Sequence, residues 1–260
     1  MTKRNIMLRA IAVSFLATLV ANPVLSEEKP AIHDAPAPKT MIFIGNSFVY
    51  YNNSLHNHMR KLVQSLDKKN AKAYFFKATT ISASYLSDHA MSAAYMIKDY
   101  EHKKKMGPWD LVVLQGHSRE PISKKRSRDF REAAQKLDAM IRGAGSRTAF
   151  FMTWAYGNKP KMTQKLRDAY TKIGNELNAL VVPVGLAFAL ARSEDPDKKV
   201  YIDDKRHPSL LGTYLTASVF YATLYGKSPV GASYTAGLSD EAAKFAQTIA
   251  WKAVKAYFGE

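Results

Sequence analysis

Short apolar runs alternate along this chain with longer stretches whose apolar residues recur every three or four positions. The runs Met41–Ile44, Ala73–Lys77, Leu111–Gln115, Thr148–Thr153 and Leu180–Val184 have strand length. They are nearly continuous in hydrophobic residues rather than alternating, as expected of parallel strands covered on both faces. Helix-periodic segments lie between and after them, at about 53–68, 85–103, 124–143, 161–178, 209–225 and 239–257. Asn52 is a candidate cap for the first. Ser209 after Pro208, and Ser239 before Asp240-Glu241, are N-caps for the last two. Strand–helix alternation of this kind predicts an α/β protein, a three-layer α/β/α sandwich around a parallel sheet of about five strands. Ligands of such sheets bind beyond the carboxyl ends of the strands. Ser47 follows the first predicted strand, Gln115 ends the third, Trp154 follows the fourth, and Asp204 and His207 follow the fifth. The topology therefore predicts that all five face one edge.

Composition sets the compartment. Lys3, Arg4 and Arg9, then a largely apolar Ala10–Val20 and small residues before Glu27, read as an export signal over residues 1–26. The apolar stretch falls short of the roughly 20 residues a membrane span needs, so no span is expected after cleavage. The chain contains no cysteine, which excludes a disulfide framework and an N-terminal lipid-bearing Cys. A bacterial periplasmic or secreted protein is the expectation. Residues 27–40, with Pro30, Pro36 and Pro38, read as an extended linker arm, and residues 41–260 as a single domain.

The formal net charge is +16, and removing residues 1–26 takes away three basic residues and no acidic one, leaving +13. Such a field favours anionic partners, among them an anionic envelope polymer. The basic residues are dispersed, at His102–Lys105, Lys124–Arg126, Lys159–Lys165 and Lys198-Lys199, and read as solvated surface. No zinc finger, RNA-recognition signature or helix-turn-helix pattern points to specific nucleic-acid binding.

The chemistry is concentrated in two short segments. Gly45-Asn46-Ser47-Phe48 places a serine just after the first strand, and Asp204-Lys205-Arg206-His207-Pro208 places Asp and His three residues apart. A serine hydroxyl is a weak nucleophile, so a His must take its proton and an Asp must set the imidazole tautomer. Asp203 is an alternative carboxylate, but the spacing favours Asp204. The Gly-x-Ser-x-Gly elbow of α/β-hydrolases is absent, because Val49 holds the last glycine position, and no phosphate loop occurs. His56 and His58, two apart on a predicted helix, point in different directions with no matching carboxylates, so no metal is expected.

These motifs resemble the SGNH (GDSL-like) hydrolase superfamily, over roughly residues 41–226. Ile44-Gly45-Asn46-Ser47-Phe48, then Leu114-Gln115 with Ser118, then Asp204-x-x-His207-Pro208-Ser209 are similar to a bacterial branch of exported members. The resemblance implies a flavodoxin-like SGNH fold with Ser47 as nucleophile, His207 as base and Asp204 as its orienting acid, and no cofactor. It also implies that the Ser47 amide donates to the oxyanion. The family's second block supplies a glycine amide, and the matching stretch here, Ile81-Ser82-Ala83-Ser84, has none, which leaves Ala83 as the candidate. The third block, usually Gly-x-Asn, reads Gly116-His117-Ser118, so Gln115 or Ser118 is the candidate donor. Trp154, Tyr156 and His117 are candidates to wall the substrate cleft. The implied activity is hydrolysis of a small ester or an acylated glycan. The alternatives are an O-acyltransferase acting on an envelope glycan, or a non-catalytic envelope-binding protein with the same fold.

Overall fold

The computed structural model describes residues 28–90, 93, 96, 97 and 108–260. The export signal expected over residues 1–26 lies outside the described residues, as does most of the segment expected to be helical at 85–103. Five strands form one parallel sheet in the order β2-β1-β3-β4-β5. They are β1 (Thr40–Gly45), β2 (Phe75–Thr80), β3 (Leu111–Leu114), β4 (Arg147–Phe151) and β5 (Leu180–Val182). The sheet order reverses between β1 and β3, the place where a parallel sheet opens a crevice at its carboxyl edge.

Both faces of the sheet are covered. Met41, Phe43, Leu111, Val113, Ala149 and Phe151 enter one core, and Ile42, Ile44, Val112, Leu114 and Phe150 enter the other. Strand residues thus alternate between two apolar cores, which is why each strand reads as a continuous hydrophobic run. Helices α1 (Ser47–Tyr50) and α2 (Leu55–Leu66) follow β1, and α3 (Ser127–Gly143) and α4 (Met162–Glu176) flank β4. The chain ends in α5 (Val184–Glu194), α6 (Leu210–Tyr225) and α7 (Asp240–Phe258). Helix α6 is buried from Leu211 through Leu224. Two of its interior hydroxyls are satisfied within the helix, Thr216 donating to the Gly212 carbonyl and Ser218 to the Tyr214 carbonyl. Among the described residues, no helix is long and apolar enough to cross a membrane.

Three departures from the predicted elements have physical causes. β2 begins two residues later than predicted, at Phe75, because residues 68–73 wind into a 3₁₀ segment capped by Asp67. β5 stops at Val182, since Pro183 has no N–H to continue the ladder, and α5 starts directly after it. That helix was missed because apolar Leu186, Ala189 and Leu190 occupy the faces around its buried stripe (Val184, Ala187, Phe188, Ala191), so no polar face sets the stripe off. Asn52 does not cap α2. Ser54 holds that position without a side-chain cap, and Asn52 is used elsewhere. Ser209 and Ser239 do cap α6 and α7.

The arm at residues 28–39 lies along the domain. The Asn175 side chain accepts from Ala31 and donates to the Lys29 carbonyl, the Ala37 amide donates to Leu224, and the Tyr225 hydroxyl donates to Pro38.

Candidate active site

The turn leaving β1 is held from three directions by Asn46, only 2 % exposed. Its amide donates to Gln115 Oε1 (2.9 Å), its Nδ2 donates to the Ser84 carbonyl (3.0 Å), and its Oδ1 accepts from the Phe48 amide (3.2 Å). The last bond caps α1, so Ser47 is the first residue of that helix and its own amide has no acceptor among the described residues. Gly45 allows this arrangement. A Cβ there would stand 2.4 Å from Gln115 Oε1, inside the bracket that fixes the turn.

His207 arrives on the loop between α5 and α6. Its Nε2 lies 2.9 Å from Ser47 Oγ, and its Nδ1 lies 2.5 Å from Asp204 Oδ2. The second Asp204 oxygen accepts the amides of Arg206 (2.8 Å) and His207 (2.9 Å). Partial burial alone would raise the Asp204 carboxyl, but the His207 side chain and these two amides together hold it below the usual carboxylate range. An ionised Asp204 accepting from Nδ1–H leaves Nε2 as the acceptor facing the Ser47 hydroxyl.

The loop carrying His207 is fastened at several points. The Trp154 indole N–H donates to the Arg206 carbonyl (2.8 Å), Asn52 Nδ2 donates to Pro208 (2.9 Å) and to Thr213 Oγ1 (2.8 Å), and the Ile202 amide donates to the His207 carbonyl (3.0 Å). Tyr51 lies flat on the imidazole, with centroids 4.3 Å apart and planes 5° from parallel, and Phe48 meets it edge-on at 5.8 Å. Such aromatic contacts contribute about 0.5–1.5 kcal/mol each beyond area burial and restrict ring rotation. Tyr51 was not identified from the sequence. Its position four residues after the serine is one helical turn along, and that was the available signal.

The turn at residues 81–84 sits against the turn that carries Ser47. The Ile81 amide donates to Gly45, the Ser84 carbonyl accepts from Asn46, and the hydroxyls of Ser82 and Tyr50 are 3.0 Å apart. Ala83 occupies the left-handed region (φ 55°), with the Ser84 amide returning to Ile81. This is the conformation for which glycine is the usual choice, reached here by an alanine. The Ala83 amide has no acceptor among the described residues.

Two expectations require correction. Gln115 is 1 % exposed, its Oε1 accepts from Asn46 and its Nε2 donates to the Gly116 carbonyl, so both ends of its amide serve the turn rather than an oxyanion. Trp154 is fully buried, stacked at 4.2 Å between Phe48 and Phe188, and so braces the His207 loop instead of walling a cleft. Ser118 is also buried. Its hydroxyl lies 2.6 Å from Tyr156 Oη and 3.3 Å from His117 Nδ1, and forms the middle of a short polar chain. Burial, together with the cations Arg119 and Arg206, lowers the His117 pKa and keeps its ring neutral. Tyr156 and His117 do line a pocket, described below.

His56 and His58 are accounted for locally, His56 by Ser54 Oγ (2.8 Å) and His58 by the Asn52 carbonyl (2.5 Å) and Tyr234 Oη (2.9 Å). Among the described residues no cluster of His, Asp and Glu is arranged to hold a metal.

No protein-family model matches the chain, and no curated protein does. Solved structures do match. A DUF4886 family protein from Bacteroides uniformis superposes with a TM-score of 0.63 at 18 % identity, over 82 % of this chain and 93 % of that one. A candidate SGNH hydrolase from Slackia heliotrinireducens gives 0.54 at 20 % identity, over 71 % and 97 %. An acetyl xylan esterase, AlAXEase, gives 0.56 at 15 % identity, over 70 % and 98 %. With its five-stranded parallel sheet and flanking helices, this chain has the fold of the SGNH hydrolases.

Proposed function

We propose that the protein is an exported serine esterase that removes a short O-acyl group through a Ser47 acyl-enzyme. The observation that carries this reading is the unbroken hydrogen-bonded line from Asp204 through His207 to Ser47 at the carboxyl edge of the sheet. His207 Nε2 takes the Ser47 proton as Oγ attacks the ester carbonyl, and Asp204 stabilises the imidazolium that forms. The oxyanion is held by the two uncommitted amides, those of Ser47 and Ala83, since the Ser118 hydroxyl at the position of the family's Asn is engaged with Tyr156. His207 then returns the proton to the leaving alcohol, and water, deprotonated by the same imidazole, releases the acid. A structural neighbour named as an acetyl xylan esterase supports an acetylated carbohydrate as the substrate class. Export rests on the signal-like residues 1–26.

Purified protein is expected to hydrolyse p-nitrophenyl acetate, and Ser47→Ala to lose at least about 10⁴-fold of kcat/KM with an unchanged melting temperature. Equal turnover by the variant and the parent would refute the assignment.

A further inference from the structure

Beside the triad lies a pocket of about 340 Å³ lined by Tyr85, His117, Glu120 and Tyr156 and by four cations, Arg119, Arg126, Lys159 and Arg206. The cations come from four separate segments: the loop after β3, the approach to α3, the loop after β4, and the residue preceding His207. We propose, building on the esterase reading, that this pocket binds an anionic group on the alcohol part of the substrate. The natural ester is then an O-acylated acidic glycan bearing carboxylate or phosphate.

Three observations support an anion here. Arg119, Lys159 and Arg206 make no ion pair among the described residues, while Arg126 shares Asp129 at 3.2 Å. Aromatic faces hold three of the four cations: Arg126 over Tyr85 at 4.6 Å, Arg206 over Tyr156 at 5.0 Å and Lys159 over Tyr156 at 6.0 Å. Stacking leaves guanidinium N–H groups free at the edge of the plane, where they can bind a carboxylate or phosphate in pairs. Finally, the one carboxylate in the wall is already engaged. Glu120 is 1 % exposed, both its oxygens accept backbone amides of Leu86 and His117, and burial raises it to about 7, which reduces its charge.

The pocket on the other side of the 202–207 loop is also basic, but Asp203 stands in its wall and Lys198 pairs with Glu241 at 2.6 Å. The pocket at Arg119 is also tied to the reaction centre. Arg206 adjoins His207, and Tyr156 bonds Ser118. An anion bound there would place its ester beside Ser47.

Binding is measured by calorimetry on full-length Ser47→Ala protein, with oligogalacturonate as carboxylate probe, a phosphomannan oligosaccharide as phosphate probe and xylopentaose as neutral probe. At least one anionic probe is expected to bind more tightly than xylopentaose, with affinity falling as salt rises. Adding Arg119→Gln with Lys159→Gln should weaken it by about tenfold or more, as losing paired charge-assisted contacts does. Lys124→Gln with Lys125→Gln removes the same charge from exposed positions outside the pocket and should leave binding as it was. Whichever anionic probe binds identifies the group. Equal binding of all three probes, or equal losses from the two double variants, would overturn the proposal. Absence of p-nitrophenyl acetate hydrolysis would defeat the esterase reading instead, and this binding test stands apart from it.

Discussion

The two sides of Ser47 are built differently. On the base side, Asp204 and His207 are fixed by direct hydrogen bonds, a stacked Tyr51, and a loop pinned by Trp154 and Asn52. On the proposed oxyanion side, the candidate donors are backbone amides placed by turns, Ser47 at the start of α1 and Ala83 in a left-handed turn. Side-chain chemistry specifies the first half, so substitution there is costly. The second half depends on backbone shape, which different residues can produce. In this way a chain lacking the SGNH family's block-two glycine and block-three Asn can still offer an uncommitted amide from a turn packed against the Ser47 turn.

The sharpest way to break this comparison is to disturb the base side. Asp204→Asn keeps the shape but favours the wrong imidazole tautomer, and is expected to lower kcat/KM on p-nitrophenyl acetate by about 10³-fold. A loss under tenfold would mean that His207 does not depend on Asp204, and the contrast between the two sides would collapse.

A middle-sized effect is expected at Glu120, which supports the block-three loop. Its buried carboxyl is raised from 4.5 to about 7 by desolvation, opposed by the His117 and Leu86 amides and Arg126 and reinforced by Asp88. The folded state therefore holds this proton more tightly than the unfolded chain. Its stabilising contribution is full below pH 4.5 and lost as pH rises through about 7. Glu120→Gln removes that loss, so the variant should gain up to about 3 kcal/mol relative to the parent between pH 5 and 8, read from urea unfolding. A stability difference that does not change with pH would show that Glu120 ionises without penalty.

The smallest effect tests the oxyanion side. Ala83→Gly relieves a left-handed alanine and loosens the unfolded chain, for a net gain of about 0.5–1 kcal/mol. Catalysis should be retained, because an amide is still delivered by the same turn. A tenfold rate loss would show that the alanine methyl, and not only the amide, positions substrate.

Much of the fold was legible because strand and helix periodicity are local properties. The sheet edge at which Ser47, Asp204 and His207 meet followed from strand–helix alternation alone, and the caps Ser209 and Ser239 from their neighbours. Helix α5 was not legible, since Leu186, Ala189 and Leu190 make its less buried faces apolar too and leave no polar face to mark it. Asn52 looks like a cap in sequence. The left-handed run Asn52-Asn53-Ser54 turns it toward Pro208 instead.

The order of residues along the chain was enough to predict the alternating α/β architecture, the meeting of Ser47, His207 and Asp204, and a large positive charge. These depend on residue type and short spacing. Only the tertiary structure decided that Gln115 and Trp154 point inward, that Ala83 adopts a glycine-like turn, and that four scattered cations line one pocket. The direction of a side chain at a sheet edge is set by competition among partners from distant segments. Arg119, Arg126, Lys159 and Arg206 become one electrostatic feature only when β3, β4 and the His207 loop end side by side.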